Sequence, residues 1–454
     1  MARRGKQRSH PLRGSATVET LEPERQTQSQ PVRTEDPPQP PVTTQVEDPG
    51  QSGDLPSPVA ATRPKRIAVI ATIYRYLSHA QHFADRFLVG YPYGGRWHRP
   101  DCKIVSLYVD QQPEGDQSQD RAREFGFAVY PTIAEALRCG GDELACDAVL
   151  IIGEHGEYPK NDKGQVLYPR YEFFKECVKV FEEDGRSVPV YNDKHLSYSF
   201  DKAQEMVADG HRLGFPILAG SSLPVTWRLP DVELPLGCQI EEALMVGVGG
   251  SDPMDYHALE AMQCMIERRS GGETGVKSVQ LIEGDAVWKA GEKGRYSLRL
   301  LDSALSRSDS PCGKTDEDGR TQDLLGNGEL PRLVKEPAAY FIEHNDGLKT
   351  TLLMLNGAIR DYCFACRIAG EDDPISTQFF LPPTPNVTYS ACLVAKIWEM
   401  IETGQAPFPA ERTLIVSGAL ESCLTSKVKG HKRLKTPHLK VEYQAPAESH
   451  HGRF

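Results

Sequence analysis

The sequence predicts an α/β protein: an N-terminal doubly wound parallel sheet followed by a C-terminal α+β domain with an open sheet. Three observations carry this. Short apolar runs rich in β-branched residues alternate with helical segments between residues 65 and 222, the pattern of a parallel sheet with right-handed crossovers. From about residue 235 the strands lengthen and the strict alternation stops. The 454 residues also suffice for two or three cores, at roughly 100–200 residues per domain. The expected boundaries are 1–64, 65–222, 223–446 and 447–454, the last a short tail.

Residues 1–64 hold 11 of the 34 prolines and no Phe, Tyr or Trp. Such a segment buries too little apolar surface to offset its ordering entropy, so a disordered tail is expected. Its Arg3, Arg4, Lys6, Arg8 and Arg13 read as solvated charges. No apolar stretch follows them, so no signal peptide is expected.

Order begins at Lys65. The run 66–72 reads as a buried parallel strand. Ser78 is a good N-cap for a helix over 79–89. A turn-rich loop over 91–100 leads to a second strand, 103–109, which ends at Asp110. Helices are expected at 118–125, 133–138, 171–183 and 200–213, and strands at 128–130, 148–152, 187–191 and 216–219. Asp184-Gly185 is a helix stop. In the second half, strands are expected at 240–246, 277–283, 339–343, 349–355 and 361–368. Helices are expected at 255–266, 389–402 and 413–425. The polar, Gly-rich stretch 306–331 reads as an exposed insertion.

Composition excludes several classes. Formal net charge is -11, from 63 acidic and 52 basic residues, which argues against nucleic acid as a partner. No run of ~18 apolar residues predicts a membrane span. Eleven cysteines without a disulfide-framework spacing suggest a reduced, cytoplasmic protein. Cys363 and Cys366 lie three apart on an expected strand. They should face opposite sides, ~10 Å apart, as buried thiols rather than a disulfide or zinc pair. His79 and His82 sit one helical turn apart with no further ligand at metal spacing, so no metal site is expected.

In a doubly wound sheet, ligands bind beyond the strand C-termini. That rule gathers Thr72 to Ser78, Asp110, Gly153 to Pro159, Asn192 to His195 and Ser221 to Arg228 around one crevice. Lys194 follows an apolar strand between Asp193 and His195, where burial and charge could tune it for proton transfer. His257 stands near a helix N-terminus, behind Asp255, where an imidazole tends to stay neutral. Tyr158, Trp227 and Arg228 suit polyols and acids by their aromatic faces and fork donors. Arg268, Arg269 and Glu273 read as internally paired charges.

Several segments resemble the Gfo/Idh/MocA oxidoreductase family, over about residues 65–445. Asp120-Arg-Ala-Arg-Glu-Phe-Gly-Phe-Ala-Val-Tyr looks like the family's third-strand region. Asp147-Ala-Val-Leu-Ile-Ile-Gly-Glu-His looks like its strand that ends near the nicotinamide. Val188-Pro-Val-Tyr-Asn-Asp-Lys-His is similar to the segment that ends in Glu-Lys-Pro, with Asp193 for the glutamate and His195 for the proline. Asp255-Tyr-His-Ala-Leu-Glu260 resembles the helix start that carries the family's catalytic histidine. The resemblance implies a Rossmann-like domain, NAD or NADP as cofactor, and a sugar or polyol as substrate. It implies catalytic roles for Lys194, His257 and Asp255. Thr72, Tyr74, Arg75, Asp110, Glu154 and Asp193 would face the cofactor, and His155, Tyr158, His195 and Arg228 the substrate. One departure stands out: Ala71-Thr-Ile-Tyr-Arg-Tyr-Leu-Ser, where the family has its glycine-rich phosphate loop, contains no glycine. In that loop glycines permit the tight turn and the close approach of backbone to pyrophosphate. Two readings therefore stay open, an NAD(P)-dependent oxidoreductase and a non-redox carbohydrate-binding or regulatory protein on the same scaffold. Face-to-face pairing of the open sheets would make a homo-oligomer.

Overall fold

The structure, a computed structural model, describes residues 63–319 and 323–453. All but the last two residues of the expected Pro-rich tail lie outside that range.

The first half runs β1 (Lys65–Ala71), α1 (His79–Val89), β2 (Tyr91–Tyr93), β3 (Arg96–His98), β4 (Cys102–Val109), α2 (Ser118–Phe125), β5 (Ala128–Tyr130), α3 (Ile133–Arg138), β6 (Ala148–Ile152), α4 (Arg170–Glu183), β7 (Val190–Asp193), α5 (Phe200–Leu213) and β8 (Ile217–Gly220). Six of these strands form one sheet in the order β5-β4-β1-β6-β7-β8, and every pairing is parallel. The strands are apolar on both faces because helices cover both. Ala68, Ile70, Val149 and Ile151 pack with Phe174 and Phe181 of α4. Ile67, Val69, Leu150 and Ile152 pack with Phe83 and Phe87 of α1.

The second half runs β9 (Trp227–Leu229), β10 (Ile240–Gly247), α6 (Ser251–Ile266), β11 (Val276–Glu283), α7 (Asp285–Glu292), α8 (Leu298–Leu305), α9 (Lys314–Asp318), α10 (Leu330–Leu333), β12 (Ala338–His344), β13 (Lys349–Met354), β14 (Tyr362–Ile368), β15 (Ile375–Phe380), α11 (Tyr389–Thr403), α12 (Glu411–Val428) and β16 (Leu434–Lys435). Its eight-stranded sheet has the order β16-β11-β12-β13-β10-β14-β15-β9. It is antiparallel except where β10 meets β13. Alternation along the strands divides the two faces. Ala243, Met245, Phe364 and Cys366 face α6 and α12, while Leu244, Val246, Cys363 and Ala365 meet Leu300, Leu301 and Leu305 of α8. Cys363 and Cys366 thus point to opposite sides, both buried.

Three placements differ from expectation. Helix α11, assigned by sequence to the second domain, sends Leu393, Val394 and Ile397 into the first domain's core beside α1. The described part of the stretch 306–331 is anchored rather than wholly exposed, because Leu324 and Leu330 are buried with Leu300, Leu301 and Leu305 of α8. The expected tail at 447–454 is docked over its described part: Ser449 donates from its N–H and hydroxyl to Glu233, and the Gly452 N–H donates to the Val225 carbonyl.

Candidate active site

The C-terminal ends of β6, β7 and β8 meet the start of α1 and the first turns of α6 around a cavity of about 200 Å3. Lys194, Glu154, Asp193, His155 and His257 line it, together with His79 and His82.

Its electrostatic centre is a buried carboxylate between two cations. Glu154 accepts from Lys194 Nζ at 2.9 Å and from the Arg170 guanidinium at 2.5 Å. Burial alone would raise the Glu154 pKa, but Lys194 and Arg170 outweigh it and hold the carboxyl well below the usual range. Lys194 adopts a left-handed φ of 60°, uncommon without glycine and typical of functional sites. Its N–H donates to the Gly220 carbonyl at 3.1 Å, which ties β7 to β8. Gly220 itself has φ 130°, and a Cβ there would stand 2.2 Å from Glu260 Oε1. Glu260 accepts from the Ser221 N–H and hydroxyl and from Tyr256, so it fixes the Ser221–Ser222 rim of the cavity. Burial pushes its carboxyl up to about 7.

Three of the imidazoles, His257, His155 and His82, are held toward the neutral form by their environment. Burial, then Lys194 and His79, hold His257 well below the ordinary histidine value. Burial and His79 lower His155 to about 4. Burial, His79 and Arg86 lower His82 to about 3. His79 Nδ1 lies 2.7 Å from Asp193 Oδ2, and its ring stands edge-on to His155 with 5.0 Å between centroids. His257 Nδ1, His155 Nδ1 and His82 Nε2 are buried without a hydrogen-bond partner. Among the described residues, no group of three or more His, Cys, Asp or Glu is placed to hold a metal ion.

Several expected site residues lie elsewhere. Asp255 does not line the cavity: it is buried, accepts from Tyr340 at 2.7 Å, and burial pushes it up to about 6. His195 lies behind Lys194 and packs edge-on against Tyr256, 3.5 Å from the Asp252 carboxylate. Arg228, expected at the substrate, is fully buried. It donates to the Val232 carbonyl and stacks over Phe379, so its work is structural. Tyr158 donates to Asp110 at 2.6 Å, toward the β4 end of the sheet. Arg269 pairs with Glu273 and Asp346 inside the second domain, as expected.

The strand ends also test whether a dinucleotide fits. Tyr74 is buried and donates to Asp85, so its ring fills core rather than crevice. Thr72 donates to the Glu154 carbonyl, a tie between β1 and β6. Some of the backbone donors here are used internally: the Arg75 N–H and, from the first turn of α1, the Gln81 N–H donate to Ser78 Oγ, and the Leu77 N–H donates to Gln81 Oε1. The loop is stitched to the segment after β4, where the Gln117 N–H donates to the Tyr74 carbonyl at 2.7 Å and Arg75 bridges Asp116. Asp110 already accepts from Tyr108 and Tyr158. These residues do not fit a pyrophosphate as a glycine-rich loop does, which needs free N–H groups and an open approach.

The architecture defines the class: a doubly wound parallel domain joined to a mixed-sheet domain, with a cavity that holds Lys194, Glu154 and several histidines where they meet. Solved structures share this fold. GenD2 from gentamicin A biosynthesis, solved in complex with NAD, matches with a TM-score of 0.51 at 12% identity, over 84% of this chain and 99% of its own. A probable dehydrogenase from Thermotoga maritima matches at 0.48 and 12%, over 82% and 99%. A myo-inositol 2-dehydrogenase from Lactobacillus plantarum matches at 0.48 and 11%, over 82% and 99%. The chain shares the fold of Gfo/Idh/MocA-type dehydrogenases, as its motifs suggest. No protein-family profile matches the sequence, and no curated protein does.

Proposed function

We propose that this chain is an oxidoreductase of the Gfo/Idh/MocA type, acting on a hydroxyl or ketone of a sugar or polyol held in the cavity. One observation carries the reading. A paired ammonium, Lys194, and a neutral imidazole with a bare nitrogen, His257, line the same buried space. Lys194, charged against Glu154, can donate to a substrate oxygen and stabilise negative charge as it develops. Oxidation of a hydroxyl would need NAD or NADP as hydride acceptor; His257 can accept the hydroxyl proton, and burial then favours passing that proton on. The likeness to sugar and polyol dehydrogenases in fold supports the substrate class by analogy.

The glycine-free loop after β1 favours a second reading, a carbohydrate-binding protein without redox chemistry. One experiment separates the two. The protein is denatured and assayed by mass spectrometry for released NAD(P)(H), then titrated with NAD and NADP. Released or bound dinucleotide supports the oxidoreductase. If none is released and none binds, the redox reading fails and the binding protein remains.

A further inference from the structure

The stretch Lys427 to Lys440 runs against the charge of the whole chain. It carries six Lys or Arg and no Asp or Glu, in a protein with 63 acidic and 52 basic residues. It leaves the end of α12, turns at Gly430, where φ is 74°, and forms β16, the outer strand of the eight-stranded sheet. Beside it lies a groove of about 450 Å3 that shares no residue with the candidate active site. The start of α5, the last turns of α12 and residues 429–438 form its walls. We infer that this groove is a second ligand site, which takes a small phosphate-bearing molecule, free phosphate or a phosphate ester, on Lys429, Arg433 and Lys435. The inference stands independently of the oxidoreductase reading.

The first argument is unspent charge. Within the run, Lys427 pairs with Glu283, Arg433 pairs with Glu343, which Lys277 shares, and Lys440 lies 3.9 Å from Glu442. Lys429, Lys432 and Lys435 are exposed and have no ion-pair or hydrogen-bond partner among the described residues. Two carboxylates face the groove. Glu421 is committed to Lys163 Nζ at 2.6 Å and to the Phe200 N–H at 2.7 Å, which leaves Asp201 to oppose the lysines. His438 completes the lining, with its Nε2 3.4 Å from Ser422 Oγ. A lysine on an edge strand guards it against pairing with another chain. That accounts for Lys435 but not for Lys429, which precedes the strand across the turn. Two ammoniums and a guanidinium around one space suit a phosphate, with its charge of about −2 and three acceptor oxygens. A carboxylate, with one charge and two oxygens, would leave donors unmet.

The second argument is size and field. The volume falls within the roughly 300–1,000 Å3 of small-molecule pockets. The formal charge of -11 repels a long polyanion on approach. A small dianion inside the groove feels chiefly the charges within a Debye length of about 8 Å. Phe200 is buried and meets the His438 ring edge-on, so it offers no open face for a nucleic-acid base to stack on. The wall behind the lysines is held in place. Thr436 is 1% exposed, its hydroxyl donates to the Val276 carbonyl at 2.7 Å, and its N–H donates to the Lys277 carbonyl at 3.1 Å.

The test is calorimetric titration of the full chain with inorganic phosphate, pyrophosphate and glucose 6-phosphate, and with acetate as the singly charged comparison. Pyrophosphate should bind with a dissociation constant of about 1 mM or below at low salt, and about tenfold more weakly in ~0.5 M NaCl. Lys429→Gln and Lys435→Gln should each weaken it about threefold, and the two together about tenfold or more. Asp201→Asn should tighten it. Lys179→Gln, which removes an exposed lysine of α4 outside the groove, should leave it within about twofold. Glucose 6-phosphate binding tighter than inorganic phosphate assigns the site to an ester, and the reverse order assigns it to free phosphate. The inference is overturned if none of the three phosphates saturates the protein, if acetate binds as tightly, or if the double variant binds like wild type. Heparin binding far more tightly than every small phosphate would also overturn it, by making this face a polyanion surface. So would loss of pyrophosphate binding in Lys194→Ala, which would move the anion to the candidate active site.

Discussion

Glu154→Gln probes the centre of the site. The substitution keeps shape and removes the charge that faces Lys194 at 2.9 Å and Arg170 at 2.5 Å. The three residues are 5%, 2% and 1% exposed, so water cannot take over the pairing. Breaking a buried pair from one side costs about 3–5 kcal/mol. At the low end of the usual sensitivity, about 2 °C per kcal/mol for large domains, Tm should fall by about 6–10 °C. Scanning calorimetry reads this directly. The sign with pH follows from linkage. A carboxyl held below its unfolded value stabilises the fold above pH ~4.3, and that contribution is lost as pH falls. The gap between wild type and variant should therefore close on acidification. Adding Lys194→Met to Glu154→Gln should recover part of the loss, since one stranded cation is gone. A Glu154→Gln variant that melts within about 1 °C of wild type at pH 7 would refute the reasoning, because Glu154 would then be solvated or unpaired.

Three further outcomes follow from the same geometry. Asp255 is raised to about 6 mainly by burial, so the stability it contributes below its ordinary pKa is lost as pH rises through 6. Asp255→Asn should match or exceed wild-type Tm at pH 8, lose that advantage by pH 5, and leave ligand affinity unchanged. Gly220→Ala forces a Cβ to 2.2 Å from Glu260 at a φ of 130°; denaturant titration should show a loss of about 2–4 kcal/mol or failure to fold. Arg228→Met strands the Val232 carbonyl and should cost about 1–3 kcal/mol in the same assay, with ligand affinity within about twofold of wild type; a selective loss of affinity would return Arg228 to the site.

The parallel domain was legible because its strands are buried on both faces and read as continuous apolar runs, as in Ala148–Ile152. Strand β15 was not, since Ser376, Thr377 and Gln378 are polar yet buried between β14 and β9. The hairpin of β2 and β3 looked like a loop, as three-residue strands carry no periodicity. The rule that ligands gather at strand C-termini found Glu154, His155, Asp193 and Lys194. It missed Arg170, which reaches Glu154 from the start of α4 after a long connection. It also underrated His79 and His82, whose partners come from β6 and β7 and leave no trace in local spacing. The rule overreached at Arg228 and Tyr74, because position near a strand end does not say which way a side chain points.

The most direct test of the account is Lys194→Ala against wild type, measured as turnover of whichever polyol the protein accepts. If Lys194 donates to the substrate oxygen, the rate should drop by about 10²–10⁴ while substrate affinity changes far less. Turnover equal to wild type, in a variant that folds, would contradict the assignment of the chemistry to this cavity.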